Sequence, residues 1–186
     1  LGPLQLVDET SIDLGAKIAR ATKAAMGDAY PDEAVDEVIF WMEGEGRLGR
    51  KSAAGFYDYD EKGKRQGLSS VVAAQYPEAE NQPELVDVQH RLLFAQSLEA
   101  VRALEEGVLM DIREGDVGAI LGWGFAPWSG GPLSWLDMLG AEYAAARCDE
   151  LTEAFGDRFA CPELLREMAA KSQSFYGRFG AEKAAA

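Results

Sequence analysis

The chain carries one seven-residue frame twice. GPLQLVD occupies residues 2–8 and GPLSWLD occupies residues 131–137. The likeness continues beyond the frames. Behind the first come a helical pattern, then PDEAVDEVIFWM, then KSAAGFY at residues 51–57. Behind the second come a helical pattern, then PELLREMAA, then KSQSFY at residues 171–176. Three landmarks in one order are far less probable by chance than one shared heptad, so the chain reads as two copies of one helical unit. No other feature constrains the fold as tightly.

The copies are unequal. The second frame follows a long helical segment from Glu84, a shorter one from Asp111 and a glycine-rich turn. A single residue stands before the first. The first copy therefore reads as lacking its front half, about two helices, and as leaving an apolar face uncovered. The expectation is a fragment, all-α, of tandem helical domains with the first truncated at its N-terminus. Residues 1–66 form the rear half of copy one, 67–83 a linker, 84–180 copy two and 181–186 a tail.

Periodicity places the helices. Residues 11–26 put Ile12, Ala16, Ile18 and Ala19 near one face, with Ser11 as a cap. Residues 32–45 open behind Pro31 with acidic residues in the first turn, as the helix dipole favours. Residues 84–107 form the longest helix, with Val88, Leu92, Ala95, Leu98, Val101 and Leu104 at three-to-four spacing and Gly107 to end it. Shorter helices are placed at 69–75, 111–121, 132–139, 142–155 and 162–171. No segment sustains strand alternation. The tyrosines around Gly55 predict a short strand but no sheet.

Composition excludes several classes. The net charge is −14, which disfavours nucleic acid and anionic membranes as partners. No run of about 18 apolar residues exists, so no helical membrane span is expected. Residues 1–10 have no basic region followed by an apolar one, so they do not read as a signal peptide. The two cysteines, Cys148 and Cys161, are expected to be free thiols in a reducing cytosol.

Few motifs carry chemistry. GWGFAPWSGG at residues 122–131 lacks the preceding strand of a dinucleotide loop and the Lys-Ser or Lys-Thr of a P-loop. It reads as a tight turn wedged by Trp123, Phe125 and Trp128. His90 is the only histidine, so it has no second imidazole to join in a triad or metal cluster. Residues 46–67 form the one basic region, with Arg47, Arg50, Lys51, Lys62, Lys64 and Arg65 giving about three net positive charges. Such a loop can meet the phosphates of a nucleotide-like ligand or simply cap helix ends. No metal site and no catalytic residue is read here.

Three stretches point to a family. RLGRKSAAGFYDYD at 47–60, LVDETSIDLG at 6–15 and above all DIREGDVGAILGWGFAPWSGGPLSWLDMLG at 111–140 resemble the C-terminal region of 3-hydroxyacyl-CoA dehydrogenases. RLLFAQSLEAVRALEEGVL at 91–109 fits the same pattern. The likeness is greatest to the alpha subunits of bacterial fatty-acid oxidation complexes, which fuse enoyl-CoA hydratase and dehydrogenase. The resemblance implies a parent with an NAD-binding Rossmann domain ahead of two helical copies, oxidising (3S)-hydroxyacyl-CoA in β-oxidation in the cytoplasm. It implies that the catalytic His and Glu belong to that Rossmann domain. It also implies that an active-site Asn before an Arg, on the long helix of copy one, is not in this chain. The equivalent pair in copy two is His90-Arg91. Gly2, Pro3, Leu4 and Leu6 fall near the family's acyl pocket, and Arg50 and Lys51 are the basic residues placed to meet the substrate. Alone, the chain is expected to bind no NAD, to turn over nothing and to self-associate through its uncovered face. A thiolase subunit is a further possible partner. A free-standing helical interaction module and an acyl-CoA binding module are the competing readings.

Overall fold

In both frames proline opens a helix, where its missing N–H leaves no donor unpaired. The computed structural model describes residues 2–30 and 34–180. The chain divides into two compact units, residues 1–81 and 82–186. Ten α-helices and one two-stranded sheet run through the described residues. The fold is all-α apart from that hairpin.

The first unit comprises α1 (Pro3–Thr10), α2 (Ile12–Met26), α3 (Ala34–Gly44), β1 (Tyr57–Tyr59), β2 (Arg65–Leu68) and α4 (Ser70–Gln75). Helices α2 and α3 pack together, and Ile12, Ala16 and Met42 are fully buried. The start of the helix expected from residue 32 lies outside the described residues, as does the tail at 181–186. Ser69 caps α4, its hydroxyl accepting the amide of Val71 at 3.2 Å. Helix α4 lies within the stretch read as a linker.

The second unit comprises α5 (Leu85–Glu105), α6 (Ile112–Trp123), α7 (Pro132–Leu139), α8 (Ala141–Phe155), α9 (Glu163–Ala170) and α10 (Phe175–Phe179). Its core draws Phe94, Leu98 and Val101 from α5, Ile112 and Ala119 from α6, and Leu133, Trp135 and Leu136 from α7. Helices α8 and α9 add Cys148, Leu151, Leu165 and Met168. Burying one such side chain contributes roughly 1.5–3 kcal/mol. The apolar stripe is what orders the six helices.

Both units build the same geometry behind their frames. Helices α1 and α7 are each eight residues long. Each ends on a residue with unusual backbone angles, Ser11 at φ 84°, ψ 127° and Gly140 at φ 86°, ψ 137°. The helix that follows is fifteen residues long in both, α2 and α8.

Several expectations are corrected. A second strand, β2, pairs antiparallel with β1, Tyr57 opposite Leu68 and Tyr59 opposite Arg65. Its burial shows why periodicity missed it: all four residues are exposed, so no alternation was imposed. Ser11 stands at the cap position, but its hydroxyl donates to the Leu48 carbonyl and to Asp13 instead of accepting an amide. Ile18 on α2 is exposed, as are Leu92 and Ala95 on α5. In the glycine-rich turn only Phe125 is a core wedge. Trp123 is 64% and Trp128 67% exposed. Trp123 ends α6 and its indole donates to Gln96 at 3.0 Å, while Trp128 rides on an outward 3-10 turn.

Candidate functional site

The residues expected to meet substrate lie on α1 and on the turn after α3. Gly2 precedes α1 in an extended conformation and Pro3 is its first residue. Leu4 and Leu6 follow, 39% and 50% exposed. Arg50 and Lys51 open a 3-10 turn that packs on α1. The guanidinium of Arg50 lies 3.1 Å from Glu9, in the last turn of α1. Lys51 Nζ lies 2.5 Å from the carboxylate of Asp13. That bond, with one from the Ser11 hydroxyl, pulls Asp13 well below the usual carboxylate range. The structure thus brings the two groups to opposite ends of one helix, about 12 Å long at 1.5 Å per residue.

Two other basic side chains of the loop, Arg47 and Arg65, hold the fold. Arg47 is buried and donates through Nε and Nη2 to the Gly55 carbonyl at 3.0 and 2.7 Å, and to Asp58 at 2.7 Å. Arg65 lies 2.8 Å from the Gln5 side chain and over the ring of Tyr57. Asp60 accepts the amides of Lys62 and Lys64. The charges of Arg47 and Arg65 are spent on the fold.

Three aspartates that the sequence reading did not single out organise both frames. Asp8 is buried and accepts the amides of Phe56 and Tyr57 at 2.8 and 3.0 Å and the hydroxyl of Tyr59 at 2.9 Å. A buried carboxylate is tolerated only with donors of this kind. A Cβ at Gly55 would fall 2.1 Å from that carboxylate, so glycine is required there. Burial and the bond to Asp8 push the Tyr59 hydroxyl up to about 12. Asp137 accepts the amides of Phe175 and Tyr176 at 2.6 and 2.9 Å. Asp116, on α6, is buried and accepts the amides of Leu133 and Ser134 at 2.8 and 3.0 Å and the hydroxyls of Ser134 and Tyr176. The signal was present: an aspartate ends each frame, and a Phe-Tyr pair follows each frame downstream.

Asp116 also settles what the glycine-rich turn can hold. A dinucleotide pyrophosphate sits on the N-terminus of a helix that follows a strand. Here helix α6 precedes the turn, and the first amides of α7 already face a carboxylate. The glycine-rich turn therefore does not fit a dinucleotide pyrophosphate.

Residues 1–59 match the family model described as 3-hydroxyacyl-CoA dehydrogenase, C-terminal domain. Over those residues the chain is similar to these C-terminal domains. It is 36% identical over 179 residues to the fatty acid oxidation complex subunit alpha of Shewanella loihica. That match covers 95% of this chain and 25% of the relative, so the chain spans a quarter of the protein it resembles. A solved 3-hydroxybutyryl-CoA dehydrogenase from Escherichia coli K12 shares the fold, with a TM-score of 0.62 at 19% identity. The likeness covers 92% of this chain and 51% of that one.

Outside the frames, the second unit offers few reactive groups. His90 stands edge-on to Phe94, Trp135 and Tyr143. Its Nδ1 accepts from Arg147 Nε at 3.0 Å, and Arg147 is held by Asp87 and Glu150. Burial, and then the neighbouring guanidinium, hold His90 below its ordinary value. A ring so engaged is a packing element with one nitrogen already committed. Between α5 and α6 runs an apolar groove of about 450 Å³ lined by Ala100, Ala103, Val108, Leu109, Gly118 and Trp123 among others. Among the described residues no group of three His, Cys, Asp or Glu is placed to hold a metal ion. No helix among them is long and apolar enough to cross a membrane.

Proposed function

We propose that this chain is the C-terminal helical region of an NAD-dependent (3S)-3-hydroxyacyl-CoA dehydrogenase of cytoplasmic fatty-acid β-oxidation. Its work there is to close the acyl-CoA site and to pack domains and subunits. The carrying observation is the 36% identity that spans 95% of this chain but only 25% of a fatty acid oxidation complex subunit alpha. The chemistry belongs to the rest of such a protein, where a Rossmann domain supplies NAD and the proton-transfer pair.

This chain's residues bind and position. Gly2, Pro3, Leu4 and Leu6 form an exposed apolar helix start suited to wall an acyl chain. Arg50 and Lys51 leave about half their side chains in solvent, so each can meet a phosphate oxygen beside its carboxylate partner. Orienting a thioester in this way lowers a barrier without any acid or base of its own. The two copies and their domain boundaries belong to the same proposal. The matching lengths of α1 and α7, and of α2 and α8, support it.

The test is a chimera. The matched quarter of the Shewanella loihica subunit is replaced by this chain, and NADH oxidation with acetoacetyl-CoA is measured. The expected result is retained turnover in the chimera and none in the 186-residue chain alone. A folded chimera without turnover, or turnover by the isolated chain, overturns the reading.

A further inference from the structure

Both cysteines of the chain stand in one place. Cys148 lies on α8 and is fully buried in the core of the second unit. Cys161 lies just ahead of α9, behind the 3-10 turn Asp157–Phe159, and is partly exposed. Twelve residues separate them in sequence, yet their side chains are in hydrogen-bond contact. Both are free thiols.

The fold fixes this contact from three sides. Arg102, on α5, donates to the carbonyls of Arg158 and Ala160 at 3.3 and 3.1 Å, which holds the segment that runs into Cys161. Glu105, also on α5, accepts the amide of Leu164 at 2.8 Å, on the far side of Cys161. Arg166 reaches from α9 to the carboxylate of Asp149, the neighbour of Cys148, through two bonds of 2.9 and 2.6 Å. Helices α8 and α9 pack along this line. The approach of the two sulfurs is thus set by groups other than the thiols.

The thiols differ in access. A solute can reach Cys161, whose Sγ also lies 3.6 Å from the Pro162 carbonyl, but not Cys148. The bond from Cys148 draws Cys161 down towards its thiolate despite partial burial, and the guanidiniums of Arg166 and Arg102 act in the same direction against Asp149. Oxidation-sensing cysteines combine accessibility and thiolate character with a second thiol at hand.

We propose that Cys148 and Cys161 form a reversible thiol–disulfide site, in which a small hydroperoxide oxidises Cys161 and Cys148 resolves the product. In the first step the Cys161 thiolate attacks one peroxide oxygen. An S–O bond forms, the O–O bond breaks, and the leaving oxygen takes up a proton as water or an alcohol. Cys161 is then a sulfenic acid. In the second step the Cys148 sulfur attacks that of Cys161. The S–S bond forms, the S–O bond breaks, and the departing hydroxide leaves as water with the proton of Cys148. Two thiols have passed two electrons and two protons to one hydroperoxide. A solution thiol reverses the change by exchange at the sulfur of Cys161. Since Cys148 is closed to solvent, the electrophile within its reach is Cys161. The site stands apart from the proposed function and its chemistry needs no dehydrogenase.

The test treats the native 186-residue chain with equimolar hydrogen peroxide, without reductant, and reads intact mass and mapped peptides. The expected product is a monomer lighter by about 2 Da, with residues 148 and 161 in one cross-linked peptide, unchanged helical circular dichroism and full recovery in dithiothreitol. The disulfide is expected to form about tenfold faster than in the urea-unfolded chain, because the second thiol is already in contact. In Cys161→Ser, Cys148 is expected to remain a thiol in the native state. In Cys148→Ala, Cys161 is expected to stop at a sulfenic acid that dimedone traps. A wild-type monomer heavier by about 16 or 32 Da, with Cys148 still a thiol, overturns the proposal. So does a disulfide that forms no faster in the folded chain than in the unfolded one. Oxidation of Cys148 at an undiminished rate in Cys161→Ser overturns the order of attack. A disulfide formed only between chains, at a rate that rises with protein concentration, overturns the pairing.

Discussion

Asp8 and Asp137 close the same seven-residue frame and make the same pair of bonds. Each accepts two consecutive backbone amides, Phe56 and Tyr57 in one unit, Phe175 and Tyr176 in the other. A Phe-Tyr pair far along the chain is thereby tied to the helix of each frame.

Asp8 carries the larger load, since the Tyr59 hydroxyl joins the two amides. Asp8→Ala strands three donors, one of them the buried Tyr59 hydroxyl, and is expected to cost about 3 kcal/mol or more. For a unit with a small core that is a large fraction of its stability. Amide exchange should accelerate throughout residues 1–81 and leave 82–186 little changed. Uniform acceleration in both halves would refute this local role.

Gly131→Ala combines two faults. The position has φ 120° and the added carbon would press on the Asp116 backbone. A cost of roughly 3 kcal/mol or more is expected, seen as a lower urea midpoint. Asp116→Ala should relieve the clash in part, so the double variant is expected to be less damaged than the sum of the two singles.

His90 links stability to pH. Its folded value lies below the ordinary 6.5 because of burial and Arg147. The unfolded state therefore takes up the proton first as pH falls. The stabilisation is complete above the ordinary value and is lost as pH drops from there towards the folded one. The His90 ring resonances should titrate below 6.5, and His90→Gln should flatten the fall in unfolding free energy between neutral and mildly acidic pH. A ring titrating at or above its ordinary value would contradict the geometry.

The two cysteines should respond differently to thiol reagents. Cys148 is fully buried and Cys161 partly exposed. A hydrogen bond with Cys161, then burial, push the Cys148 thiol up, and the same bond draws Cys161 down. Since the thiolate is the reactive form, maleimide is expected to label Cys161 in the native protein and Cys148 only in denaturant. Peptide mapping of the labelled sites decides it.

In the chimera, Arg50→Ala and Lys51→Ala are each expected to raise KM for acetoacetyl-CoA by about tenfold with little change in kcat, the signature of lost ground-state binding. A fall in kcat at constant KM would place these residues elsewhere in the reaction.

What the sequence revealed depended on how strongly burial acts on each element. The α5 and α8 helices were legible because a core on one side imposes a period, and the frames were legible because bound backbone amides and crowded glycines tolerate little change. Strand β2 was not, since its four residues are all in solvent and its pairing rests on backbone bonds and one guanidinium over Tyr57. Trp123 and Trp128 were misread because bulk and hydrophobicity say how much burial is worth, not which way a helix end points. Asp8 and Asp137 were visible as frame endings, but the bonds that the three aspartates make were not. Their partners are mostly main-chain amides between 17 and 49 residues away, and a main-chain donor has no letter in the sequence.

The placement of the four tryptophans gives the protein a built-in optical gauge. Trp123 and Trp128 sit in water whether or not the helices are assembled, so their emission is red from the outset. Trp135 lies in the core of one unit, and Trp41 is half-buried against Tyr76 in the other. A blue component of the fluorescence therefore comes from Trp135 and Trp41, one dye for each unit. Replacing either by phenylalanine turns an ordinary melting curve into a record of one half of the molecule at a time.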